Sequence, residues 1–187
     1  MARMIDTLRE EHLNIEKLLD VLGRETDLAA TAGNPDWNLL HAITRYLCDY
    51  PDRCHHPKED AILARMQAKF PEKAKTIGDL LRERQEVRLR AQRFRDLVQS
   101  VFFEDVLPRE KLVGAARAFI NAERRHMMKE EAIFFPVAEK LLAEEDWQEI
   151  KSQLQNRPDL LSMASTAREF QAVRDALAVW KPARMAG

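Results

Sequence analysis

A chain of 187 residues and 21.7 kDa suits one domain with a full core, so neither disulfides nor a metal is needed as a prop for folding. Its 30 basic and 31 acidic side chains are mixed along its length, which leaves no basic stripe for nucleic acid or an anionic membrane surface. No apolar run of ~20 residues is present to span a membrane, and Met1-Ala2-Arg3-Met4-Ile5-Asp6 leads straight into a charged amphipathic pattern, so the chain reads as a cytoplasmic protein.

Few glycines, an abundance of Leu, Ala, Glu, Arg and Gln, and apolar positions at steps of three and four predict an all-α protein. Helix 1 is expected from about Asp6, as N-cap, to Ala29-Ala30. Its seam runs Ile5, Leu8, Ile15, Leu19 and Leu22, and the one gap in it is filled by His12, which therefore points at a core. Gly33-Asn34-Pro35-Asp36 is the clearest turn. Helix 2 then runs to Phe70. Pro51 and Pro57 each remove a backbone donor and disfavour helix in the preceding residue, so a kink or break is expected between Tyr50 and Lys58. Beyond it, Ile62, Met66 and Phe70 extend the line through His55 and Glu59, whereas the line through His56 and Asp60 runs into Gln67. That register favours His55 and Glu59 as the inward pair.

Helix 3 is expected from near Pro71, with Ile77, Leu80, Val87, Ala91, Phe94 and Val98 as its seam. Helix 4 starts near Pro108 and ends near Leu142; Phe119, Ile133, Val137 and Leu141 mark its seam, and His126 and Glu130 occupy the two missing places. A buried Glu is costly unless paired or metal-bound. Four long helices with short loops favour an antiparallel bundle over residues 1–143, in which ligands from facing helices meet at the centre. In residues 144–187, Asp146-Trp147 reads as the cap of a fifth helix, Arg157-Pro158 breaks it, and a last helix runs from about Ser162 or Ser165 to Trp180. This extension is expected to cover the bundle or to form a dimer contact. Cys48 and Cys54 lack the doubled pattern of a zinc site and read as free thiols.

One phrase appears twice. His55-His56-Pro57-Lys58-Glu59-Asp60-Ala61-Ile62-Leu63 returns as His126-Met127-Met128-Lys129-Glu130-Glu131-Ala132-Ile133-Phe134. In each copy a Glu follows a His by four residues, so both side chains stand on one helix face and can converge on an ion.

These residues resemble the hemerythrin-like family, also called the HHE cation-binding domain, over roughly residues 1–143. Leu8-Arg9-Glu10-Glu11-His12-Leu13-Asn14-Ile15 is similar to its first-helix motif, His55 to Glu59 to its second, and His126 to Glu131 with Phe135-Pro136 to its fourth. The resemblance implies an up-and-down four-helix bundle around a non-haem di-iron centre. It carries over His12, His55, Glu59, His126 and Glu130 as ligands, with Glu131 as the reserve acid because Met127, Phe134 and Ala138 form a second apolar line. Iron, as one or two ions, and a small diatomic ligand such as O2 or NO are the implied cofactor and partner.

Helix 3 departs from the family pattern. Leu8-x-x-Glu11-His12-x-x-Ile15 aligns with Leu80-x-x-Glu83-Arg84-x-x-Val87, which puts Arg84 where the family has a His. Arginine stays protonated and has no lone pair for a metal. The expectation is that Arg84 fills the region of a second ion and pairs with Glu59 or Glu130. Turned outward, it leaves Gln85 or solvent to complete two-metal coordination. The leading function is then binding or sensing of O2, NO or redox state. The alternatives are a di-iron enzyme or iron-centre repair protein, and a metal-free scaffold in which Arg84 and the two glutamates form an ion-pair network.

Overall fold

The computed structural model describes residues 3–31, 33–101, 108–154 and 171–180, and these are helical with no strand among them. α1 (Arg3–Ala30) leads to α2 (Trp37–Tyr50), whose first turn is capped by the Asp36 carboxylate accepting from Leu39 N–H at 2.9 Å. α3 (His56–Lys69) continues α2 through a π-helical turn at Pro51–His55. A short α4 (Pro71–Ala74) and a 3-10 turn (Lys75–Ile77) lead to α5 (Leu80–Val101), followed by α6 (Arg109–Lys129), a second π-helical turn at Glu130–Phe134, and α7 (Phe135–Leu141). α8 (Glu144–Leu154) and α9 (Gln171–Val179) complete the described chain.

The third long helix begins later than the sequence predicts. Gly78 takes φ +86°, a left-handed conformation that suits glycine, and Asp79 then accepts from Arg82 N–H at 3.0 Å to start α5 afresh. The break expected at Pro51 and Pro57 also takes another form. Backbone angles stay helical through the region, and His56 N–H reaches back five residues to the Pro51 carbonyl. The wider turn absorbs the two prolines without interrupting the rod. The expected start at Ser162 or Ser165 and the break at Arg157-Pro158 lie outside the described residues.

α1 packs on α2 and α6, α2 on α5, and α5 on α6, so four columns close a ring. α8 lies against α3, and α9 against α1 and α2. The core falls into two apolar clusters, one holding Ile15, Leu19, Phe94 and Phe119, the other Ile5, Leu8, Ile62, Met66, Phe134 and Phe135. Full burial of each such side chain contributes ~1.5–3 kcal/mol. Between the clusters lies a polar layer: His12 between Leu8 and Ile15, Glu59 before Ile62, Arg84 between Leu80 and Val87, and His126 and Glu130 before Phe134. Every column contributes to it.

Candidate metal centre

Four donors meet in this layer. His12 Nε2 lies 3.0 Å from His55 Nε2 and 3.4 Å from Glu130 Oε2, and His55 Nε2 lies 3.2 Å from Glu59 Oε1. One ligand atom from each of His12, His55, Glu59 and Glu130 falls within 4.8 Å of all the others, and all four residues are buried. Glu59 Oε1 has no hydrogen-bond partner despite its short distance to the imidazole. The two atoms sit side by side instead of donor to acceptor. Donors ~2.1 Å from a shared ion stand roughly 3.0–3.4 Å apart, so the residues fit a transition metal bound by nitrogen and oxygen.

The outer nitrogens of the same two rings are held by carboxylates. His12 Nδ1 is 2.9 Å from Glu131 Oε1, and Glu131 accepts from Arg9 Nε at 3.3 Å, while Arg9 donates to both Glu139 oxygens at 3.0 Å. His55 Nδ1 is 2.8 Å from Glu11 Oε2, and Lys58 holds the other Glu11 oxygen. A carboxylate on Nδ1 fixes the proton there and turns the Nε2 lone pair inward, the arrangement that orients metal-ligating histidines. Phe135, stacked on the His12 ring at 5.3 Å, further restricts its orientation.

On the other side of the two glutamates the chemistry changes. His126 Nε2 lies 3.1 Å from Glu130 Oε1, and its Nδ1 is 4.0 Å from Glu83, which Lys129 holds at 2.6 Å. Arg84 donates through Nη2 to Glu59 Oε2 at 2.8 Å and through Nη1 to Asp60 Oδ1 at 2.5 Å. His56 turns away to Asp52 at 3.1 Å, and Asp52 also pairs with Arg88 at 3.3 Å. Glu123, buried one turn before His126, has its pKa raised by burial.

Charge in the layer is tightly coupled. Burial works against a proton on His55, but the nearby Glu59 charge and the hydrogen bond to Glu11 outweigh it and push its pKa up to about 10. Burial likewise opposes the Glu130 carboxylate, yet contacts from His12 and His126 hold it well below the usual carboxylate range. Arg84 is desolvated too, and Glu59 and Asp60 still raise it above its ordinary value.

Of the residues expected from the sequence, His12, His55, Glu59 and Glu130 come together, and His126 reaches them only through the far oxygen of Glu130. Glu131 faces the outside of His12. The expected helix 4 seam is corrected beyond Glu130: Ile133 is 40% exposed, while Phe134, Phe135 and Ala138 are fully buried. The π turn at Glu130–Phe134 adds a residue to one turn and rotates everything after it. Glu11, Glu83 and Glu123 were not singled out by the sequence reading. The signal for the first two was an acid directly before a seam position, and for Glu123 its place three residues before His126.

Comparison with curated proteins and with solved structures gives no match. A family model described as the hemerythrin HHE cation binding domain matches residues 3–138. The match covers most of the chain, and its buried histidines and glutamates converge from three of the four columns; the chain belongs to this family.

Proposed function

We propose that the protein holds iron, as one or two ions, among His12, His55, Glu59 and Glu130 and uses it to bind or sense O2, NO or redox state. The supporting observation is the pair of inward Nε2 atoms at 3.0 Å, each with its Nδ1 committed to a carboxylate. Such a pair offers two lone pairs to one ion, and imidazole with carboxylate suits iron. Bound iron would supply reversible coordination of a small ligand and a change of oxidation state. The residues around it supply position and exclusion: Phe135 covers the His12 ring with apolar surface, while an open cleft of about 300 Å³ between α5 and α6 reaches the His126 ring. Residues 1–143 form the metal-binding unit in this reading, residues 144–187 its cover. The setting is cytoplasmic, where the free thiols Cys48 and Cys54 stay reduced.

Elemental analysis with an ultraviolet-visible spectrum, on protein expressed with added iron and purified without a metal-affinity step, tests this. Iron that stays with the chain and a spectrum that changes reversibly with O2 or NO are expected. Iron without any response to either ligand removes the sensing reading. Absence of metal even after reconstitution favours the scaffold, for which the Arg84 pair with Glu59 is the relevant observation. Turnover of peroxide or release of iron to an acceptor would mark the enzyme or repair reading.

A further inference from the structure

We infer that the bundle holds one metal ion per chain and that the Arg84 guanidinium is its permanent second cation. The inference rests on the metal-binding reading above and fixes its stoichiometry.

The two central carboxylates each have two sides. Glu59 Oε1 and Glu130 Oε2 face the imidazole pair at 3.2 and 3.4 Å. Glu59 Oε2 and Glu130 Oε1 point the other way, where His126 Nε2 stands 3.1 Å from the latter. Those three atoms, with the buried Glu123 carboxyl one turn earlier on α6, would be an adequate donor set for another cation. Arg84 takes that place. Its Nη2 donates to the outward oxygen of Glu59 at 2.8 Å, and Asp60 fixes its other Nη at 2.5 Å.

The guanidinium cannot give up its charge to make way for a metal, because arginine does not deprotonate in proteins. Nor is it free to swing aside: its side chain is 11% exposed and bound at two points. The hollow left beside it, lined in part by Asp52, His56, Arg88 and Glu123, measures about 20 Å³. A space of that size takes one water, so the guanidinium fills most of the volume on this side of the carboxylates. Arg84 therefore delivers a fixed positive charge to the same carboxylate oxygen that a second ion would claim, while Glu59 Oε1 remains for the first.

Iron per chain and quantitative electron paramagnetic resonance, both on the full chain expressed with added iron, test the inference. The wild type is expected to carry one iron, and the ferric signal of an isolated high-spin ion should account for all of it. Arg84→His is expected to double the iron bound. Two spin-coupled irons in the wild type, or an Arg84→His protein that folds and stays at one, would overturn the inference and leave metal binding intact. No iron in the wild type after anaerobic reconstitution with ferrous salt would overturn the metal-binding reading beneath it. The wild-type count and spectrum decide the question even if Arg84→His does not fold.

Discussion

His12 and His55 present their Nε2 atoms to each other at 3.0 Å, a separation at which two bare lone pairs repel. A proton or a metal ion must sit between them, and the high affinity of His55 for a proton makes the proton the metal's competitor. His55→Ala removes one donor of four. It is expected to lower affinity for ferrous or zinc ion by more than the ~10–100-fold typical of losing an outer partner. Equilibrium dialysis reads the affinity, and circular dichroism of the metal-free variant shows whether the fold persists.

The carboxylates outside the rings have their own signature. Glu11→Gln and Glu131→Gln should each weaken metal binding roughly 10–100-fold without removing a donor. Glu139, two steps out behind Arg9 and 37% exposed, is the control, and Glu139→Gln should leave affinity unchanged within error. Equal losses at all three positions would mean a general effect of charge and no orienting role.

Metal should also stabilise the fold, since its donors come from helices that are brought together only in the folded chain. At a free ion concentration 100 times its dissociation constant, the gain is about 2.7 kcal/mol. Thermal melts with and without a chelator measure it. A melting temperature indifferent to EDTA would argue for the ion-pair scaffold.

Acid should loosen the hold of α3 on α8. Asp146 accepts from Arg65 and Lys69 at 2.7–2.8 Å and from Ala143 N–H at 3.0 Å, and its pKa is lowered to about 2, chiefly by Lys69. Because the folded value lies below the ordinary aspartate value of 3.8, the stabilisation is complete above that pH and disappears as pH falls from 3.8 towards 2. Asp146→Asn should cost about 1–2 kcal/mol near neutrality. The difference between the acid titrations of wild type and variant, followed by Trp147 fluorescence, isolates this group from the other carboxylates.

Phe135 has no solvent exposure and stacks on His12, so Phe135→Ala removes core and support at once. A loss of ~3–5 kcal/mol in denaturant unfolding is expected. Phe135→Leu should recover most of the stability but less of the metal affinity, because a branched aliphatic chain does not hold the ring by its face.

The sequence displayed the bundle and the heart of the site for separate physical reasons. Apolar steps of three and four fix which face of each helix turns inward, so a polar residue in the seam, such as His12 or Arg84, is legible as buried. Alignment of helices 1 and 3 placed Arg84 against Glu59 or Glu130, and the structure pairs it with Glu59; its second partner, Asp60, sits on the line read as outward. The π turns were not legible. A switch from i−4 to i−5 bonding changes no residue type, and the drift it causes left Ile133 exposed and brought Phe135 to the core. In both places a proline follows two residues after the wide turn, Pro57 and Pro136, which is the local trace that a reading by periodicity passes over.

α3 is gripped at both ends by charge. Near its start Glu59 belongs to the central layer, and about two and three turns later Arg65 and Lys69 clasp Asp146 of α8. One stiff rod thus joins the middle of the bundle to the lid over its end, where Trp147 and Ile150 seal the second apolar cluster. The one helix that supplies a carboxylate to the central layer is therefore also the helix that anchors α8, so the position of Glu59 and the seat of α8 are set by the same rigid element.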